Sequence, residues 1–174
     1  VGLEAAKGYI KCGVDAVMIA TDWAMNSGPI FPPAFIKEFM VPQVNAIADY
    51  CHEHGVLVVK HTDGNIMPIA DMFFTMSIDG YQGIEPYAGM KLGEIKQLYG
   101  DRITLMGNVD CGRTLPFGTK EEIIEESKAC IKAAAPGGGY IFSSSNTISY
   151  PIPASALLTM VDTVLKYGSY PIEW

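Results

Sequence analysis

The chain has 174 residues, 49% of them apolar and 18% charged, which supports a packed core and excludes disorder and collagen-like repeats. Its net charge of -7 repels phosphate backbones and anionic membrane surfaces, and no basic patch offsets it, so neither nucleic acid nor a membrane is an expected partner. No run approaches the ~18 apolar residues of a spanning helix, the N-terminus lacks the pattern of a signal peptide, and Cys12, Cys51, Cys111 and Cys130 form no C-x-x-C pair. Reduced thiols in a cytoplasmic protein are expected. The first residue is Val rather than Met, so a fragment or processed product is expected.

Short apolar runs suited to strands buried on both faces alternate with amphipathic stretches. The first strand is expected over residues 15–20. A helix follows in which Ile36, Met40, Val44, Ile47, Ala48 and Cys51 recur at helical spacing, with Pro42 expected to kink or split it. His52 and His54 lie at its end before Gly55, where the helix dipole favours them. A second strand over 56–60 leads to a short helix over 69–76, with Asn65 as its cap and Met72, Phe73 and Phe74 read as core. A third strand over 80–84 and a helix over 92–99, ended by Gly100, come next. After a fourth strand over 102–107, Thr119-Lys120-Glu121-Glu122 has the form of a capping box opening a helix with Ile123, Ser127, Cys130, Ile131 and Ala134 on one face. The fifth strand, 139–143, is preceded by a glycine turn, and Leu157, Leu158, Val161, Val164 and Leu165 mark the last helix. This alternation implies right-handed β-α-β units and a parallel sheet, hence the α/β class. An open doubly wound sheet would place a Gly-rich turn after a strand, whereas Gly137-Gly138-Gly139 precedes one. Five strands fit part of a TIM-type (β/α)₈ barrel, whose eight strands take ~250 residues. A single domain over 1–174 is expected.

Parallel architectures gather chemistry at the C-terminal ends of their strands. Those positions are Asp22 and Trp23; His61, Asp63 and Asn65; Glu85 and Tyr87; Asn108, Asp110 and Cys111; and Ser143 to Asn146. The strongest local signal is Lys60-His61-Thr62-Asp63-Gly64-Asn65, because alternation puts Leu57, Val59, His61 and Asp63 on one side. If Leu57 and Val59 point into a barrel, His61 and Asp63 point into its mouth. An imidazole and a carboxylate two residues apart can grip a divalent ion, with Glu85 of the next strand as third ligand and an open position for substrate. A His held by a neighbouring Asp, merely orienting the loop, accounts for the same pair. Asn108 and Asp110 read equally as site groups or as an Asx turn. Ser143-Ser144-Ser145 has no acid-base partner beside it and is not read as a nucleophile.

Taken in order, four stretches resemble the uroporphyrinogen decarboxylase superfamily, which includes cobamide-dependent methyltransferases. They are Ile30-Phe31-Pro32-Pro33-Ala34-Phe35 with the helix through Pro42; His61-Thr62-Asp63-Gly64-Asn65; Tyr99-Gly100-Asp101-Arg102-Ile103 leading into Met106-Gly107-Asn108-Val109-Asp110; and Gly138-Gly139-Tyr140-Ile141-Phe142 through Tyr167-Gly168-Ser169-Tyr170-Pro171. The resemblance implies the C-terminal half of a barrel roughly twice this length. Decarboxylases of the family use no cofactor, bind a tetrapyrrole bearing eight carboxylates through basic groups, and carry a His where Asn146 stands here. Only two arginines exist, Arg102 and Arg113, and Arg102 is expected at the start of a strand, away from the site. The methyltransferases carry a zinc-binding H-x-C followed by Gly-Asn, with a further Cys after the last strand. Here Asp63 stands for the first Cys and Ser145 lies near the second.

The resemblance thus implies an enzyme of methyltransferase type, acting with a corrinoid carried by a partner protein or with a tetrapyrrole-related substrate. Its catalytic group would comprise Asp22, His61, Asp63, Asn108, Asp110 and Asn146, with Zn²⁺ on His61, Asp63 and Glu85. The alternatives are uroporphyrinogen decarboxylation, a carboxy-lyase step of porphyrin biosynthesis without a cofactor, and a non-catalytic binding module. Five strands cannot close a barrel, so a homo-oligomer or a longer chain is expected.

Overall fold

Five of the apolar runs form one parallel sheet in a computed structural model that describes residues 2–174. The chain opens with α1 (Gly2–Lys11) and strand β1 (Ala16–Ala20), followed by a small hairpin of β2 (Ala24–Met25) and β3 (Gly28–Pro29). A helical segment then runs through α2 (Pro33–Phe35), a π turn (Ile36–Met40) and α3 (Val41–Glu53) into β4 (Leu57–His61). Next come α4 (Ala70–Phe73), β5 (Gly80–Gln82), α5 (Leu92–Tyr99), β6 (Thr104–Val109), α6 (Thr114–Phe117), α7 (Lys120–Ala134), β7 (Tyr140–Ser144) and α8 (Ala154–Tyr167). The sheet order is β1-β4-β5-β6-β7, every pair parallel, the arrangement of a partial barrel.

Alternation along the strands sorts residues between two faces. Val17, Val58, Tyr81 and Leu105 are buried against the helices, where Phe73 meets the Tyr81 ring edge-on at 4.9 Å and Trp23 at 5.9 Å. The opposite, concave face leaves Met18, Leu57 and Ile141 about half exposed, at 48%, 55% and 48%. Register aligns Ala20, His61, Gln82, Met106 and Ile141 in one row across that face. His61 and Gln82 are therefore side by side.

The capping box forms as the sequence indicates: Glu122 N–H donates to Thr119 Oγ1 at 3.2 Å and Thr119 N–H to Glu122 Oε2 at 2.7 Å. The helical stretch around Pro42 is divided, as expected: α2 and a π turn precede α3, and Pro42 lies in the first turn of α3, where its missing N–H is tolerated. Other expectations are corrected. The helix expected over 69–76 is a 3-10 turn, Met67–Ile69, followed by the short α4, and Asn65 Oδ1 instead accepts from Met67 N–H at 3.0 Å. Strand β6 begins at Thr104, so Arg102 sits in the preceding turn, its N–H bonded to Tyr99 O. At the end of α3, His52 in the last turn also pairs with Asp79 Oδ2 at 2.8 Å, and His54 Nδ1 pairs with Tyr50 O, a C-terminal carbonyl of that helix, at 2.8 Å.

A candidate metal centre at the strand ends

The mouth is built where β1 and β4 end together. Thr21 N–H donates to His61 O at 3.4 Å, Trp23 N–H to Thr62 Oγ1 at 2.7 Å, and Asp63 N–H to Asp22 Oδ1 at 3.1 Å. Gly64 lets the next turn pass the hairpin: φ is +79°, and a Cβ there would lie 2.5 Å from both C and O of Ala24. No other residue fits that approach.

These links bring His61 Nε2 to 3.7 Å from Asp22 Oδ1 and 3.8 Å from Asp63 Oδ1, and ligand atoms of the three residues all lie within 4.8 Å of one another. The imidazole is oriented from behind. Gln82 Nε2 donates to Ser145 O at 3.0 Å, which turns the Gln82 carboxamide so that Oε1 faces His61 Nδ1. Nδ1 then carries the proton, and Nε2 presents its lone pair to the two carboxylates.

Asp63 is the least settled group of the site. Asn146 Nδ2 donates to its Oδ2, but its Oδ1 is buried without a hydrogen-bond partner. Burial, then the charges of Asp22 and Glu85, push its carboxyl above the ordinary range, while His61 and the Asn146 bond pull the other way. Gly83 keeps space beside that oxygen. Its φ is +102°, and a Cβ there would meet Thr62 O at 2.4 Å and Asp63 Oδ1 at 3.1 Å.

The donor set suits a divalent cation. Zinc bonds of ~2.0–2.1 Å to N and O in a tetrahedron imply ligand separations of ~3.3 Å, so the observed 3.7 and 3.8 Å need only a few tenths of contraction. A positive charge there would also satisfy Asp63 Oδ1 and reverse the electrostatic cost of its burial. Glu85 does not complete the group. Its Oε2 accepts Gly64 N–H at 2.9 Å, and the third residue whose ligand atom lies within 4.8 Å of those of His61 and Asp63 is Asp22.

A family model described as "Uroporphyrinogen decarboxylase (URO-D)" matches residues 2–167. The chain belongs to the URO-D family. Curated relatives named uroporphyrinogen decarboxylase include those of Aromatoleum aromaticum, 27% identical across 91% of this chain and 43% of its own length. Another, from Bordetella petrii, is 27% identical across 95% and 45%. The chain thus spans less than half the length of these URO-D relatives. Among solved structures, a methyltransferase from Methanosarcina mazei superposes with a TM-score of 0.80 over 97% of this chain and 47% of its own, at 21% identity. A sugar phosphate isomerase/epimerase from Parabacteroides distasonis gives 0.52 at 9% identity, over 99% and 64%. Both likenesses concern the fold. No helix among the described residues is long and apolar enough to cross a membrane.

In this URO-D chain the other expected site residues fall into two groups. Asn146 joins the mouth through Asp63, and Asp110 lines the adjoining cavity of about 360 Å³ with Asp63, Glu85, Cys111 and Asn146. Asp110 also closes its own loop, its Oδ1 accepting Gly112 N–H at 2.6 Å and Arg113 N–H at 3.3 Å. Asn108 is turned away. Alternation breaks at Gly107, φ +141°, and the Asn108 amide, 5% exposed, donates to Ile84 O at 2.9 Å and accepts from Cys130 Sγ of α7 at 3.4 Å. Ser145 Oγ accepts Cys111 N–H at 3.1 Å. The sequence did not single out Gln82, because its place beside His61 follows from a strand register that the sequence does not show.

Proposed function

We propose that this chain carries the metal-holding face of a URO-D-superfamily enzyme of methyltransferase type, with zinc held by Asp22, His61 and Asp63. The substrate class is a corrinoid, presented by a partner protein, or a related tetrapyrrole. The observation that carries the reading is the unpartnered, buried Asp63 Oδ1, facing the His61 Nε2 lone pair beside Asp22 Oδ1. Zinc held there supplies Lewis acidity, lowering the pKa of a substrate thiol so that it can accept a methyl group. The protein's part is positional. Gln82 fixes the His61 tautomer, Asn146 holds one oxygen of Asp63 so that the other faces inward, and Glu85 keeps the turn at Gly64 in place.

Decarboxylation is the second reading, favoured by the name of the curated relatives. The charge of the mouth opposes it. Asp22, Asp63, Glu85 and Asp110 gather there, and the single arginine nearby, Arg113, lines an adjoining basin of about 420 Å³ that shares Asp110 and Gly112 with it. A substrate with eight carboxylates would meet repulsion.

Metal analysis of protein purified without chelator tests the proposal. About one equivalent of zinc, lost in His61→Ala, is expected, together with methyl transfer from methylcobalamin to a thiol. Less than about a tenth of an equivalent in the wild type overturns the metal reading, and metal-independent formation of coproporphyrinogen establishes the second one.

A further inference from the structure

Directly behind the mouth lies a charged side chain that the proposed chemistry does not use. Lys60 is fully buried, 0% exposed, and alternation sends it to the helix side of β4, opposite His61. It cannot touch a substrate. Its Nζ donates to Thr21 O at 2.6 Å, lies 3.2 Å from Thr21 Oγ1, and donates to His61 O. The Trp23 ring lies 5.1 Å from the same nitrogen. One amine therefore binds the carbonyl preceding Asp22 and the carbonyl of His61 itself, where the ladder of β1 and β4 ends at the pair Ala20 and His61. Beyond that pair the direct links are Thr21 N–H to His61 O, at a long 3.4 Å, Trp23 N–H to Thr62 Oγ1, and Asp63 N–H to Asp22 Oδ1. A buried ammonium or amine gives up hydration to sit here, and only the acceptors at this junction compensate it.

We propose that Lys60 is a positioning residue that clamps the end of β1 to the end of β4 from behind and so sets the spacing of Asp22 from His61 and Asp63. Its consequence for metal affinity rests on the metal reading above; the clamp itself does not.

The test uses Lys60→Met, which keeps the stem and removes the amine, with Lys60→Arg as the variant that restores donors. Cobalt(II) titration followed by its visible bands reads the metal group, and hydrogen exchange at the Asp63 amide reads the Asp22 contact without metal. In Lys60→Met we expect cobalt to bind at least tenfold more weakly with altered bands, and the Asp63 amide to exchange at least tenfold faster, while far-ultraviolet circular dichroism stays that of the wild type. Lys60→Arg should recover part of both losses. Wild-type exchange at Asp63 in a folded Lys60→Met overturns the clamp. A wild type that binds no cobalt overturns the metal reading alone, because the exchange measurement still decides the clamp. If Lys60→Met fails to fold, Thr21→Val, which deletes one acceptor, decides it: exchange at Asp63 two- to fivefold faster supports the clamp, and unchanged exchange overturns it.

Discussion

The two ends of the sheet both carry partly buried charge and treat it differently. At the N-terminal ends Asp79 Oδ2 accepts Val58 N–H at 2.7 Å and pairs with His52 Nε2 at 2.8 Å, while Lys96 Nζ is bonded to Gly138 O at 2.6 Å. At the C-terminal ends Asp63 keeps one buried oxygen without a partner and is crowded by Asp22 and Glu85. A partnered carboxylate oxygen stabilises the fold, whereas a buried oxygen without a partner costs free energy, which the proposed metal would offset.

The sharpest way to break the contrast is through two glycines of almost the same backbone conformation. Gly64 at the mouth has φ +79° with Ala24 backbone 2.5 Å from a would-be Cβ; Gly13, ahead of β1, has φ +78° and nothing within 4 Å. In urea unfolding, Gly64→Ala is expected to cost about 3 kcal/mol or more, and Gly13→Ala about 1 kcal/mol. Equal costs would show that the mouth is looser than its geometry implies. Next in size is a pair of carboxylates. Asp79→Ala, which strands the Val58 amide, should destabilise by about 2 kcal/mol, whereas Asp63→Asn should raise the thermal midpoint of metal-free protein by a few degrees while abolishing metal retention. A midpoint lowered in both would remove the distinction between the two ends.

The most gradual effect is the dependence of stability on pH. Burial lowers the Lys60 ammonium from 10.5 to about 7, so between those values the unfolded chain binds the additional proton. Stability then rises with pH, by up to about 1 kcal/mol per unit. Cys130, pushed by burial from 9.0 to about 11, and Tyr81 and Tyr140, pushed above the usual phenol value of 10.0, keep protons that the unfolded chain loses. Their contribution is complete below about pH 9 and is lost above it. The urea midpoint is expected to peak near pH 9; a steady fall from pH 7 to 10 would contradict the burial of Lys60.

The sheet was legible because strands buried on both faces leave apolar runs that few other structures require, and all five appear within a few residues of their expected bounds. The parts that were not legible have local causes. The β2-β3 hairpin is two residues per strand, too short for any period. Of the residues expected at the strand ends, His61, Asp63, Asp22 and Asn146 do lie together there. Glu85 was expected in the metal group from strand adjacency, which does not reveal that its Oε2 turns to Gly64 N–H and that Asp22 is the residue lying within 4.8 Å of His61 and Asp63. Asn108 was misplaced because a glycine with positive φ interrupts the alternation on which the expectation rested. Lys60 was passed over because a lysine inside a strand reads as exposed, and only its three acceptors explain its burial.

The order of the sheet has a kinetic consequence. Each strand pairs only with the strand before and after it among the five, so every contact of the ladder closes over a single connection, such as the one from Ala20 to Leu57 through the β2-β3 hairpin and α3. Chain closure costs grow with the length enclosed, and rates fall as paired residues lie farther apart in sequence. The sheet can therefore assemble one β-α-β unit at a time from any starting pair. The late event is the junction of Asn146 with Asp63, which spans 83 residues and joins the last loop to the first pair of strands.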